Sequence, residues 1–418
     1  MFKFNFTLEE EDIDTEIFTS IEQDPLQRES TTWNEKKSGD LPGVPVKDGR
    51  FVELSIDHLL NTLPTQISFS PLEIPLPSSG DDQKCYVSRR ELFDVRFQVI
   101  SEDEGASEVA SDDGDPRLQF LDMPSDLVPG VYEGGFKTWE CSLDLVDYLH
   151  RNLTEASLKG KRSLELGCGT AIPSLYLLQR IFSSPPSAPH IKTAIHLQDY
   201  NPAALELVTF SNVLLAWYMS PASAAFLAHQ TSPEAPNPSE EEADPPEYPE
   251  PHPHSAGDLP ITLALKEALV KSLEEYGVEL RFFGGSWKHF GERFEAITRD
   301  SGDLERYDIL LTSETIYRIE SVPELIDVIW LATYPHLSIN STSGQLSELV
   351  LSESNQLHQS FILVAAKVFY FGVGGGMNDF LAAVKGRKGH DELAKQAEVK
   401  IVWEKKTGVG RKIARIIW

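Results

Sequence analysis

The sequence predicts an α/β protein with a mostly parallel sheet and an antiparallel hairpin at its C-terminus. Two observations lead to this fold. From residue 163 onward, short apolar runs alternate five times with segments of helical spacing, which is typical of a parallel sheet covered by helices on both faces. The last two apolar runs, 398–403 and 411–418, alternate in hydropathy and flank a Lys-Lys-Thr-Gly turn, which is typical of a hairpin.

The composition divides the chain into an arm and one interrupted domain. Residues 1–85 are rich in proline, serine and acid, and this predicts a largely flexible, acidic N-terminal arm. A domain is expected over 86–418. Two acidic insertions interrupt it, at about 101–116 and 230–258, and neither contains lysine or arginine. The second is an insertion and not a boundary, because the alternating pattern resumes beyond it.

Each element of the domain follows from its hydropathy pattern. Ordered structure is expected to begin at Tyr86 with a strand, because Phe93, Val95, Phe97 and Val99 recur at period two. The pattern then predicts a helix over 139–149, a strand over 163–166, a helix over 174–181, a strand over 194–197, helices over 202–219 and 262–276, strands over 278–283 and 307–312, a helix over 322–333, a strand over 361–370 and a helix over 379–397. The strand over 361–370 is apolar throughout, so we expect it at the centre of the sheet.

The charge and the cysteines exclude several classes of function. The chain has 65 Asp and Glu against 37 Lys and Arg, a net charge of −28. This argues against generic binding to nucleic acid or anionic membranes and favours a basic partner, although solubility and disordered acidic tracts explain it equally well. Three cysteines without paired spacing indicate a reducing compartment and no metal site. No signal peptide is evident, and polar residues and Pro221 interrupt the uncharged run 207–228, so a soluble, intracellular protein is expected.

The turn after the 163–166 strand has the features of a cofactor site. Gly167 and Gly169 leave no side chain between the backbone and a ligand, and the following helix presents free amides. A dinucleotide fold expects a further glycine where the chain has Ile172. The acidic Glu165 resembles instead the first motif of S-adenosylmethionine-dependent methyltransferases, in which Ala171 takes the place of the usual third glycine.

A carboxylate follows the next strand in register with this turn. Asp199 lies two residues after the strand predicted over 194–197. At this place, Rossmann-like nucleotide sites have a carboxylate that accepts hydrogen bonds from the ribose hydroxyls. The alternative for a lone aspartate at this place is a helix cap.

Six ordered motifs across 86–418 are similar to those of the protein-histidine methyltransferases. They are VYEGGFKTWECSLDLVDYL from residue 131, LELGCGTAIPS, LQDYN, GGSW, TSETIY and YFGVGGG. The resemblance implies a Rossmann-like, seven-strand methyltransferase fold and S-adenosylmethionine as methyl donor. It also implies a histidine of a large-subunit ribosomal protein as the substrate.

The resemblance further implies a set of donor contacts. These are Thr138, Trp139, Glu140, Cys141, Ser142, Glu165, Gly167, Gly169, Asp199, Tyr200, Asn201, Gly285, Ser286, Trp287 and Ser313. Aromatic faces favour a sulfonium cation, although core packing is the alternative for the two tryptophans.

Three residues after the fourth and fifth strands are candidates for catalysis. Neutral imidazole carries a lone pair, so the enzyme has to select one ring nitrogen and hold it in line with the methyl group. Glu314, Tyr317 and Asn378 lie at the rim where an acceptor for the far N–H would fix the tautomer. Their alternative role is in caps and loop hydrogen bonds.

The implied partner is a basic ribosomal protein, which fits the acidic charge. We expect a monomer without direct contacts to nucleic acid or membrane, located in cytoplasm and nucleus. Two alternatives stay open at this point: a lysine methyltransferase of the same fold and a non-catalytic acidic escort of a basic ribosomal protein. A dinucleotide-dependent oxidoreductase is the more distant possibility.

Overall fold

The fold consists of a large sheet, a small sheet and helices on both faces of the large one. The structure is a computed structural model that describes residues 49–80, 82–106, 135–186, 188, 191–230, 246–301, 306–333, 359–370, 374–386 and 397–418, with the backbone alone at 102–106 and 295–301. The strands are β1 Val52–Leu54, β2 Gln66–Pro75, β3 Lys84–Arg90, β4 Arg162–Leu166, β5 Thr193–Asp199, β6 Gly257–Pro260, β7 Val278–Gly284, β8 Ile309–Ser313, β9 Phe361–Lys367, β10 Glu398–Lys405 and β11 Arg411–Ile417. The helices are α1 Ile56–Thr62, α2 Leu92–Ala106, α3 Glu140–Asn152, α4 Glu155–Leu158, α5 Ile172–Phe182, α6 Pro202–Tyr218, α7 Ala224–Gln230, α8 Leu263–Tyr276, α9 Trp287–Ser301, α10 Val322–Thr333 and α11 Met377–Gly386.

The large sheet has the order β1-β7-β5-β4-β8-β9-β11-β10. Strands β7, β5, β4, β8 and β9 are parallel, whereas β11 pairs with β9 in antiparallel register and with β10 as a hairpin. The seven strands from β7 to β10 therefore confirm the predicted methyltransferase topology, including the last strand inserted antiparallel. Strand β1 adds an eighth, antiparallel strand beside β7.

Two apolar cores lie on opposite faces of this sheet, because side chains alternate along each strand. In β8, Ile309 and Leu311 pack into the core that contains α3, α5, α6 and α8, whereas Leu310 packs into the core that contains α10 and α11. All seven residues of β5 are buried, as expected of an interior parallel strand. Strand β9 is also interior, between β8 and β11, in agreement with its continuous apolar sequence.

Ordered structure begins earlier than Tyr86, contrary to the prediction. Strand β2 forms the centre of the small antiparallel sheet β3-β2-β6, and Ile67, Phe69 and Ile74 of β2 are buried. The prediction failed for this part of the arm because a partner strand, β6, comes some 190 residues later, at the end of the second predicted insertion. Residues 1–48 and 231–245 lie outside the described residues.

The predicted strand over residues 93–99 is wrong, because this segment belongs to α2. Val95 and Val99 are buried against Phe136 and α6, whereas Phe93 and Phe97 are 69% and 54% exposed. A spacing of four residues fits both the strand and the helix periods, and here it marks one face of a helix. Helix α2 also includes residues 102–106 of the first predicted acidic insertion; the rest of that insertion lies outside the described residues.

The remaining differences concern element ends, the longer helix α9 and the short elements β1, α1, α4 and α7, which the pattern did not predict. Helix α9 was not predicted, because the GGSW turn before it obscured its start. Helix α11 begins at Met377, two residues earlier than predicted, and residues 387–396 of that predicted helix lie outside the described part. No single described helix combines the length and hydropathy of a membrane span; the pair Pro202–Tyr218 and Pro221–Gln230, bent by 75°, passes such a test only when joined.

Candidate active site

The turn after β4 approaches the turn after β8 so closely that it requires glycine. Gly167 has a φ of 61°, and a Cβ placed on it would lie 2.4 Å from Thr315 Cγ2 and 3.9 Å from the Trp287 ring. The Gly169 N–H donates a hydrogen bond to the carboxylate of Asp199, at the end of β5. Ala171, where the family pattern has glycine, adopts a left-handed φ of 58° and is the N-cap of α5. This conformation costs an alanine about 1–2 kcal/mol, which explains why glycine is usual there.

Asp199 fastens the ends of β4 and β5 together. Its Oδ2 accepts from the Gly169 N–H at 2.8 Å and its Oδ1 from the Asn201 N–H at 2.9 Å, and the residue is 6% exposed. An ionised carboxylate has about four acceptor positions, so these two bonds alone do not use up its capacity. The structure therefore gives Asp199 a structural role, and its contact with a ligand stays a prediction.

Gln198 is a site residue that the sequence interpretation did not single out. Its Nε2 donates to the Gly285 carbonyl at 2.7 Å, and its Oε1 accepts from the Gly167 N–H at 3.3 Å and from Trp287 Nε1 at 3.1 Å. The residue is completely buried. It thus joins the turns after β4, β5 and β7 into one unit. A long amide immediately before Asp199, at the end of the predicted strand, is the signal that could have identified it.

The turn after β7 carries the predicted contacts Gly285, Ser286 and Trp287 and is covered by residues 49–50. The Ser286 N–H donates to the Gly49 carbonyl at 2.8 Å, and a Cβ on Gly285 would lie 2.4 Å from the Arg50 carbonyl oxygen. Tyr200 also reaches Gly49. A segment predicted to be flexible therefore closes this side of the site.

Glu165 is enclosed between β4 and α5. Its Oε2 accepts from the Ser174 N–H at 3.0 Å and from Ser174 Oγ at 2.5 Å, and the residue is 1% exposed. Burial raises the pKa of Glu165 to about 8, and the bonds from Ser174 oppose this rise. Both bonds hold the start of α5 against the strand, whereas the predicted donor contact of Glu165 stays a prediction.

Replacing Glu165 with glutamine is expected to remove a pH-dependent loss of stability. Between the ordinary pKa of 4.5 and about 8, the folded protein binds one more proton than the unfolded chain. The stability that this proton contributes is fully present below pH 4.5. It is lost by about 1.4 kcal/mol per pH unit as the pH rises towards about 8. The free energy of unfolding by urea should therefore rise for E165Q relative to the parent protein as the pH is raised from about 5.5 to about 7.5. Parallel pH dependences of the two proteins would contradict this account.

The start of α3 brings the predicted segment Thr138–Ser142 to the same edge of the sheet. Thr138 Oγ1 lies 3.0 Å from Thr170 Oγ1, in the loop after the glycine turn. Trp139 is the N-cap of α3 and is partly exposed, whereas Cys141 and Ser142 are buried. Lys367 Nζ lies 5.0 Å from the centre of the Trp139 ring and 3.5 Å from Glu140 Oε2. One face of this tryptophan therefore already contacts a cation.

Glu314, directly after β8, presents an oxygen without a partner in the described part of the chain. Its Oε2 accepts from Tyr370 Oη at 2.5 Å, and its Oε1 is buried with no hydrogen-bond partner among the described residues. Burial raises the pKa of Glu314, and the charge of Lys367, the nearby Cys141 thiol and the hydrogen bond from Tyr370 limit the rise. The φ of Glu314 is 57°, a backbone strain of order 1–3 kcal/mol that is often found at functional sites.

The other two catalytic candidates are placed differently. The Tyr317 ring lies 6.2 Å from the Tyr370 ring, at an interplanar angle of 68°, so Tyr317 belongs to the surroundings of Glu314. Asn378 is exposed at the start of α11, and within the described residues no hydrogen bond joins it to Glu314 or Tyr317. Its catalytic role stays a prediction, as does the donor contact of Ser313, which ends β8 beside Ala365.

The described residues contain no group of three or more His, Cys, Asp or Glu side chains suited to a metal ion. No protein-family model matches the chain. Curated relatives do match. Histidine protein methyltransferase 1 of Schizosaccharomyces pombe is 30% identical over 346 residues, which covers 81% of this chain and 77% of that protein. The chain belongs to the histidine protein methyltransferase family.

Other members of the family align over shorter lengths. Histidine protein methyltransferase 1 of Saccharomyces cerevisiae is 27% identical over 313 residues, 74% of this chain and 71% of that protein. The Bos taurus homolog is 31% identical over 270 residues, but the alignment spans only 51% of its length. A solved structure described as a methyltransferase complexed with SAH covers 88% of this chain at 10% identity and a TM-score of 0.33, which is too low to add to the assignment. Membership in the histidine protein methyltransferase family confirms the predicted family and the predicted enzyme class, for which S-adenosylmethionine is the expected methyl donor.

Proposed function

We propose that the protein transfers a methyl group from S-adenosylmethionine to an imidazole nitrogen of a histidine in a basic protein. The observation that carries this proposal is the buried Glu314 Oε1, an acceptor without a partner among the described residues, at the strand ends beside the glycine turn. A buried, unpaired carboxylate oxygen is costly, and it is explained if a substrate N–H supplies the missing hydrogen bond.

The described residues fit a donor of this kind. A Cβ at Gly167 would lie 2.4 Å from Thr315 Cγ2, so the glycine allows the turn after β4 to pack against the turn after β8, and both turns would border the donor. Asp199 would hold the ribose hydroxyls and Trp287 and Tyr200 would contact the adenine. The start of α3 would receive the amino-acid portion. When bound, the donor supplies an electrophilic methyl group on a positively charged sulfur.

The chain's own residues would then select and orient the imidazole. Tyr370 donates to Glu314 Oε2 and so leaves Oε1 as the acceptor for the ring N–H on the side away from the methyl group. This hydrogen bond fixes the tautomer whose lone pair faces the donor. As the nitrogen–methyl bond forms and the sulfur–methyl bond breaks, the ring would become an imidazolium. The Glu314 carboxylate would stabilise that charge and accept the proton of the far N–H.

The substrate that we propose is a basic protein of the large ribosomal subunit. The net charge of −28 supports such a partner, because opposite charge raises the rate of encounter. We further propose that the enzyme acts as a monomer, without direct contacts to nucleic acid or membrane, in the cytoplasm and the nucleus, where ribosomal proteins are synthesised and assembled.

Methylation of large-subunit proteins from cells that lack this enzyme tests the proposal. The purified protein, incubated with S-adenosylmethionine and these proteins, is expected to add one methyl group to one histidine, located by peptide mass spectrometry. The Asp199→Ala protein is the matched control and should leave the mass unchanged. A methyl group on lysine would support the alternative lysine methyltransferase. No transfer to any fraction, together with binding of a basic ribosomal protein, would support the escort.

A further inference from the structure

Arg89, in β3, lies at the edge of the proposed donor site and makes no ion pair with a described residue. Its guanidinium is half-buried, and Nη1 donates to Thr138 Oγ1 at 3.3 Å. Within the described residues, no carboxylate lies at ion-pair distance from Arg89. Burial lowers the pKa of Arg89, which reflects the cost of removing its charge from water.

Two chains of hydrogen bonds fix this end of β3 against the glycine turn. Thr138, which accepts from Arg89, lies 3.0 Å from Thr170 Oγ1, one residue after Gly169. The Arg90 N–H donates to Asn212 Oδ1 at 2.7 Å, and Asn212 Nδ2 donates to the Thr170 carbonyl at 3.1 Å. Arg89 is therefore held next to both Thr138 and the loop that leads into α5.

The adjacent Arg90 shows what a purely structural arginine is bonded to in this strand. Neighbouring residues of a strand point to opposite faces. On its face, Arg90 Nε lies 2.6 Å from Asp94 Oδ2, and Nη1 donates to the Leu207 carbonyl at 2.7 Å. Arg89 has one described hydrogen bond for five N–H donors, so most of its planar fork is left for another acceptor.

We propose that Arg89 binds the carboxylate of the amino-acid portion of the methyl donor. This inference rests on the proposed function, since it takes S-adenosylmethionine as the donor. The carboxylate is the only negatively charged group of that molecule, and a guanidinium binds carboxylates through two parallel hydrogen bonds. Thr138, already a predicted donor contact, holds the fork in place. None of the motifs that identify the family includes Arg89.

Calorimetric binding of two donors to the full-length protein tests this assignment. One donor is S-adenosylmethionine, and the other is decarboxylated S-adenosylmethionine, which lacks the carboxylate and keeps the sulfonium and the amine. We expect Arg89→Gln to weaken binding of the first by about tenfold to a hundredfold, and to change binding of the second by less than about threefold. Arg151→Gln, at the exposed end of α3, is the matched control and should bind both donors like the parent protein.

The outcomes separate this inference from the proposed function. If the unmodified protein does not bind S-adenosylmethionine, the proposed function is overturned. If it binds, and Arg89→Gln binds equally well or loses both donors to the same extent, the assignment of Arg89 is overturned. Should Arg89→Gln fail to fold, the unmodified protein still has to prefer the carboxylated donor by at least about tenfold, and Arg89→Lys has to show a smaller preference. Equal affinities of the unmodified protein for the two donors would overturn the assignment.

Discussion

Replacing Glu314 with glutamine is expected to lower kcat for histidine methylation by about a hundredfold or more, within the range of general acid–base residues. Glutamine keeps the size of the side chain but offers no negative charge to the imidazolium that forms. The folded protein should not become less stable, because burial of the carboxylate is costly and raises the pKa of Glu314. Single-turnover methylation and thermal unfolding, measured on the same preparations, separate the two effects.

The same variant carries a pH prediction. Glu314 has to be ionised to accept a proton, so the rate should fall as the pH drops through its raised pKa. The substrate imidazole, with an ordinary pKa of about 6.5, adds a second loss in the same direction. In Glu314→Gln, the only remaining loss of rate at low pH should be the one caused by protonation of the substrate imidazole. Glu320→Gln, an exposed residue of the same loop, is the matched control. Full activity of Glu314→Gln, or an unchanged acid limb, would remove Glu314 from the mechanism.

Replacing Asp199 with alanine is expected to have the largest effect on donor binding. Two hydrogen bonds from the ribose to a charged acceptor are lost, which weakens binding by about a hundredfold or more. The amides of Gly169 and Asn201 also lose their partner, so the free energy of unfolding should fall by about 2–4 kcal/mol. Calorimetry with S-adenosylhomocysteine measures the first loss and urea unfolding the second.

Asparagine at the same position distinguishes charge from geometry. Both oxygens of Asp199 accept from backbone N–H groups, so the NH2 group of asparagine would face one of these donors. We therefore expect Asp199→Asn to lose nearly as much donor affinity and stability as Asp199→Ala. Asp82→Ala, at an exposed position, should behave like the parent protein. If Asp199→Asn bound the donor normally, the assignment of the ribose to this carboxylate would be wrong.

The parts of the fold that the sequence predicted are those whose signal is local. Strand β4, the glycine turn and Asp199 lie within forty residues of one another, and each is marked by its own neighbours in the chain. Segments that depend on distant partners were missed. Strand β2 pairs with β6, the Gly49 carbonyl accepts a hydrogen bond from Ser286, and Arg89 donates one to Thr138. In each case a local sequence pattern contains no information about the distant partner.

The site was predictable to the same extent and for the same reason. Turns of small residues at strand ends identified the contacts around Gly167 and Gly285. Gln198 was missed because its role lies in three hydrogen bonds to two distant turns, and nothing adjacent in the chain marks these. Residues 93–99 were misassigned because valines four residues apart satisfy both the strand and the helix periods.

A crystal structure with S-adenosylhomocysteine bound tests the central claim most directly. We expect the ribose hydroxyls on the Asp199 carboxylate, the adenine beside Trp287, and the sulfur on the side nearest Glu314. Density for the ligand away from the turns after β4, β5 and β7, or a ribose without contact to Asp199, would contradict it.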